Sequence, residues 1–170
     1  MSCCTDASPH KVALVLSLVL PLLPLNMRAR AARMCRAWRA AAAHPALREE
    51  LSFERCMRCV NDAALASLCT RAGAALRTLN LDADVCETVT APGILAALRG
   101  GACTGLRCFL SRPLAAFSVV QVFDAEQIQD LAGACPLLQH AACAVRCKLS
   151  DLAAGFAALP GPMMLCSLLQ

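Results

Sequence analysis

Three stretches decide how this chain folds: Ala75-Leu76-Arg77-Thr78-Leu79-Asn80-Leu81, Cys103-Thr104-Gly105-Leu106-Arg107-Cys108-Phe109-Leu110 and Cys135-Pro136-Leu137-Leu138-Gln139-His140-Ala141. Leu76, Leu106 and Leu138 align across them, with spacings of 30 and 32 residues. Each stretch reads as a turn carrying Cys or Gly and then a short strand, in which alternate side chains face opposite ways. Each also follows a helical run. Val60-Asn61-Asp62 opens the first, from Ala64 to Arg71. Val89-Thr90-Ala91-Pro92-Gly93 opens the second, through Ile94, Leu95 and Leu98. Phe123-Asp124-Ala125-Glu126 opens the third, through Ile128 and Leu131. A degenerate fourth unit starts at Leu149-Ser150-Asp151, runs through Phe156 and ends near Met163-Met164-Leu165. One helix–strand pair cannot bury its apolar face, whereas stacked copies share a continuous core.

Composition agrees with a stack of small units. Of 170 residues, 34 are Ala and 28 are Leu, and hydrophobic types make up 58%. Disordered chains are poor in Leu and rich in charge. Sandwiches and barrels need β-branched and aromatic residues, and aromatics here are only 4%. With one Trp and no Tyr, a stacking platform for single-stranded nucleic acid is not expected. The thirteen cysteines are an odd number, so a closed disulfide set would leave one over. Most lie in apolar, Ala-rich stretches, where a thiol acts as a small hydrophobe. Cys69 is expected to end the first repeat helix. Cys103 and Cys135 precede their strands at matching positions. Reduced cysteines fit a cytoplasmic or nuclear protein.

The N-terminal third differs. Ser8-Pro9 can start a helix through Val12, Leu16 and Leu20 that stops near Pro21. Leu22 to Leu25 is a connector. Asn26 is the expected N-cap of a second helix, Met27 to about Ala43. Ala31, Met34, Cys35 and Trp38 form one apolar stripe on it. Five Arg and no acid lie between Arg28 and Arg39, mostly on the other faces. His44-Pro45 ends the pattern, and a short helical turn spans Ala46 to Leu51.

Residues 9 to 53 resemble an F-box. The carrying residues are Pro9, Val12-Ala13-Leu14-Val15-Leu16, Leu20-Pro21, Met34-Cys35-Arg36-Ala37-Trp38, His44-Pro45-Ala46-Leu47 and Leu51-Ser52-Phe53. Met-Cys-Arg-x-Trp, at its distance from Pro9, is the specific part. The units that follow resemble the cysteine-containing leucine-rich repeats that commonly come after an F-box. The chain departs from the family at Ser8, His10, Lys11, Ser17 and Arg48, and in a three-residue insertion, Leu22-Leu23-Pro24. The resemblance implies an α/β fold with an N-terminal three-helix F-box at 8–54 and a short leucine-rich-repeat solenoid of helix–strand repeats at 55–170. The repeats fall at about 60–88, 89–122, 123–148 and 149–170.

The same resemblance implies a substrate-recognition subunit of an SCF-type ubiquitin ligase, a non-catalytic receptor with no cofactor. Its partners are a Skp-type adaptor, through it a cullin–RING ligase, and a target protein. By position, Pro9, Leu16, Leu20, Met34 and Trp38 form or support the adaptor surface. In such a solenoid the strand leucines point inward, and the residues between and beside them line the concave binding face. That singles out Arg77, Thr78, Asn80 and Asp82, then Arg107, Cys108 and Ser111, then Gln139, His140 and Cys143.

Other chemistry is thinly supplied. Cys56-Met57-Arg58-Cys59 is a CxxC, Cys143 and Cys147 form a CxxxC, and Cys3-Cys4 is a vicinal pair. They belong to different units, whereas a zinc site needs converging pairs, so no metal is expected. His10, His44 and His140 sit in unrelated segments, and no phosphate loop or nucleophile elbow is present. The Arg-rich helix lacks the accompaniments of a nucleic-acid reader. The 14-residue apolar stretch Val12 to Leu25 is too short to span a bilayer. It has the length of a signal-peptide core, so the alternative is a secreted leucine-rich-repeat interaction protein with paired cysteines, processed near Ala31.

Overall fold

The computed structural model describes residues 18–53, 60–81, 88–111, 122–145 and 163–168. The fold is mixed α/β, built on one parallel sheet. Leu18 and Val19 are helical, and a 3-10 turn follows at Leu20–Leu22. Helices α1 (Leu25–Ala31) and α2 (Arg36–Ala42) come next, then a 3-10 turn at Pro45–Arg48 and strand β1 (Glu50–Ser52). The remaining helices are α3 (Asp62–Ala72), α4 (Ala91–Gly100) and α5 (Ala125–Ala134). The remaining strands are β2 (Thr78–Asn80), β3 (Cys108–Ser111), β4 (Val122–Phe123), β5 (His140–Val145) and β6 (Met163–Leu168). Among the described residues, no helix is long and apolar enough to cross a membrane.

Strand order follows chain order. β1 pairs with β2, β2 with β3, β3 with β5 and β5 with β6, all in parallel. β4 takes Ala144 and Val145 on the edge of β5 where β3 stops at Cys143, so the sheet is five positions wide. A helix leads into each of β2, β3 and β5, and α3 packs on α4 and α4 on α5. Alternation along the strands turns Leu51, Phe53, Leu79, Leu81, Phe109 and Val145 into one core beneath these helices. Phe109 meets Phe123 edge to face, with ring centroids 5.8 Å apart, a geometry that contributes about 1 kcal/mol beyond area burial.

The helix starts follow from side chains that accept the first free N–H groups. Asn61 accepts from the Ala64 amide at 2.9 Å, and Thr90 Oγ1 from the Gly93 amide at 3.0 Å. Asp124 and Gln127 exchange hydrogen bonds in a capping box. Asp62 ties two helices together. Its carboxylate accepts from the Thr90 amide at 2.9 Å and the Thr90 hydroxyl at 2.8 Å. Gly93 faces that carboxylate, and a Cβ there would collide with it. Gly73 ends α3 with φ +56°, a conformation that only glycine adopts freely.

The N-terminal segment departs from expectation in three ways. The single helix over 27–43 is two helices. Cys35 is extended (φ −159°, ψ 176°) and starts α2, its carbonyl accepting from the Arg39 amide. Helix stability comes chiefly from packing of an apolar face against a partner, not from spacing alone. The break lets α1 and α2 pack on each other. Second, α1 begins at Leu25 behind Pro24, whose carbonyl accepts from Met27 and Arg28. Asn26 therefore lies inside the helix, its Oδ1 taking the Met27 amide at 2.7 Å. Third, the helical turn expected over Ala46 to Leu51 stops at Arg48 and gives way to strand β1, because Glu50 and Leu51 pair with Thr78 and Leu79; the Arg28 guanidinium braces this segment, donating to the carbonyls of Pro21, Leu23 and Leu47.

Candidate functional site

The sheet brings the expected binding residues together through a repeated backbone bond. The Glu49 carbonyl accepts from the amides of Arg77 and Thr78, at 2.7 and 2.9 Å. The Arg77 carbonyl accepts from Arg107 and Cys108, and the Arg107 carbonyl from Gln139 and His140. This sets Glu50, Thr78, Cys108 and His140 abreast on four neighbouring strands. The row spans about 14 Å at the usual strand spacing. Beside it run Glu49, Arg77, Arg107 and Gln139, linked by the same carbonyls.

Arg107, Gln139 and His140 are exposed, while Arg77, Thr78 and Cys108 are half-buried. Arg77 Nη1 donates to the Gly105 carbonyl at 3.1 Å, so its guanidinium is held against the next turn. Asn80 shares the strand face of Thr78 but is buried at 8% exposure. Ser111 and Cys143 do not join the row. They share the parity of Phe109 and Val145 and are fully buried, because side chains alternate along a strand. Asp82 lies outside the described residues. Two acids went unread, Glu49 and Glu50, which open the rows. The signal was there: Leu51 and Phe53 fall 28 residues before Leu79 and Leu81, one more step of the same period.

The expected adaptor residues are dispersed. Met34 is 77% exposed in the turn between α1 and α2, Trp38 is half-buried on α2, and Leu20 is fully buried. Pro9 and Leu16 lie outside the described residues, as do the family departures Ser8, His10, Lys11 and Ser17. Arg48, also a departure, donates to the carbonyls of Ala43 and Arg71.

Among the described residues Cys35, Cys69, Cys103 and Cys135 are free thiols, and no three metal-ligating side chains gather. Cys3-Cys4, Cys56, Cys59 and Cys147 lie outside the described residues. Cys69 sits inside α3, one turn before its end, and Cys103 and Cys135 follow α4 and α5. The Cys103 thiol donates to the Cys69 carbonyl at 3.7 Å. Hydrogen bonding to Cys103 and burial push the Cys69 thiol up. The same hydrogen bond holds Cys103 down against its burial. Burial pushes Cys135 up to about 12. These three are fully buried and serve as spacers between helix and strand. The open row, by contrast, presents a carboxylate, a hydroxyl, a thiol and an imidazole on one face, while Arg77 and Arg107, with the parity of Leu79 and Phe109, flank its end. Such a surface can bind by charge and hydrogen bonds. No protein-family model matches this chain, and no curated protein matches it.

Proposed function

We propose that the chain is the target-recognition subunit of an SCF-type ubiquitin ligase. The N-terminal helical segment is an F-box that holds a Skp-type adaptor, and the units after it are leucine-rich repeats that hold the target. The sequential, parallel strand order with a capped helix before each of β2, β3 and β5 carries this reading. Doubly wound sheets reverse their strand order at a switch point, whereas a solenoid adds each strand beside the last. Arg77, Thr78, Asn80, Asp82, Arg107, Cys108, Gln139 and His140 are the target-binding residues in this reading, with Glu49 and Glu50 extending their rows. The chain contributes proximity rather than chemistry. Thiols at Cys35, Cys69, Cys103 and Cys135 favour a cytoplasmic or nuclear setting over secretion.

A pull-down with a purified Skp-type adaptor tests the proposal. Wild type is retained. Met34→Asp, in an exposed turn, and Trp38→Ala reduce retention at least tenfold, the scale of a lost anchor residue. Far-UV circular dichroism of both variants matches wild type. No retention of wild type would refute the F-box assignment.

A further inference from the structure

A groove of about 590 Å³ opens between α1 and the first helix of the sheet region. Leu25, Ala29 and Ala32 form one wall, Leu68 and Ala72 the other, and Leu51 and Phe53 the floor. Small-molecule sites commonly have 300–1,000 Å³ and mostly apolar linings with a few polar groups. The charged groups here share one sign: Arg28, Arg48 and Arg71 line the groove, and among the described residues no acidic side chain does.

Among the described residues none of the three charges has an acidic partner. Arg28 and Arg48 donate only to backbone carbonyls. Among the described residues the one ion pair is Arg99 with Asp130, elsewhere in the fold. Carbonyls orient a guanidinium but leave its charge whole, so two of the cations are fixed in advance at the edge of an apolar cavity. Guanidinium pairs most strongly with carboxylate or phosphate oxygens. We propose that this groove binds an amphipathic anion, a molecule with an apolar chain and a single anionic head. The chain lies between the alanines of α1 and Phe53, and the head meets the arginines. None of Leu20, Met34 and Trp38 lines the groove, so the proposal does not depend on the adaptor assignment.

Calorimetric titration of the full chain with sub-micellar sodium decanoate tests this, with decylammonium and decanol as cationic and neutral arms. Decanoate is expected to bind saturably at one site, at least tenfold more tightly than either control. Arg71→Gln removes an exposed charge while keeping the backbone carbonyl that Arg48 uses. It lowers decanoate affinity tenfold and leaves the melting temperature unchanged. Ala29→Trp, at an exposed position on α1, fills the groove and abolishes binding with the fold retained. Equal binding of the three amphiphiles, unsaturated uptake, or full affinity in either variant would overturn the proposal.

Discussion

Gly105 faces the Ala74 carbonyl and the Arg77 guanidinium, and a methyl group there would overlap both. Backbone cannot yield as a flexible side chain does, so Gly105→Ala should lower stability by about 1–3 kcal/mol, read from the urea midpoint. Ala102 carries the opposite mismatch, a side chain at φ +48°. Left-handed backbone costs a non-glycine residue about 1 kcal/mol, and Ala102→Gly should recover roughly that much. The buried thiols make a pH prediction. Cys135 is raised from an ordinary value near 9.0 to about 12 in the fold. The unfolded chain therefore ionises first. The contribution is complete below pH 9 and is lost as pH climbs towards 12. Cys135→Ala should flatten part of the alkaline fall in unfolding free energy. In the native protein, thiol reagents should modify exposed Cys35 quickly and Cys69, Cys103 and Cys135 only after unfolding.

Helices α3, α4 and α5 begin where a short polar side chain precedes an apolar run, and their caps act within three or four residues. Such signals are local, which is why Asn61, Thr90 and Asp124 were legible in the sequence. Asp124→Ala should cost about 1 kcal/mol. Thr90→Ala should cost more, because it also takes a hydrogen-bond partner from the Asp62 carboxylate, a loss of about 1–3 kcal/mol. Hydrogen exchange should show the extra opening at the starts of both α3 and α4. The break between α1 and α2 was not legible. Ala31, Met34, Cys35 and Trp38 have helical spacing, and spacing does not reveal what a face will pack against. Packing of α1 on α2 overrides the local pattern and leaves Met34 in solvent.

At the scale of the whole molecule, one parallel sheet gathers distant residues in register. Glu50, Thr78, Cys108 and His140 span 90 residues of sequence and stand side by side. Arg107 and His140 are exposed, so the double variant Arg107→Glu with His140→Asp should keep stability within about 0.5 kcal/mol per site. Its retention by the Skp-type adaptor should equal wild type, since Met34 and Trp38 lie on the turn and helix that precede the sheet. Loss of adaptor retention in that variant would show that the two surfaces are not separable.

The sequence alone determined the alternation of helix and strand after residue 60, where three helices start, and that Leu79, Leu81 and Phe109 face the core. These properties depend on neighbours a few residues apart: a cap reaches three positions, and a strand alternates every second one. Only the tertiary structure decided that Cys69 meets Cys103, that Arg28 bonds to Leu47, and that β1 pairs with β2. It alone made the arginine-lined groove. Those contacts join residues 19 to 34 positions apart. No local preference encodes them; the shared burial of several apolar faces in one core brings them about.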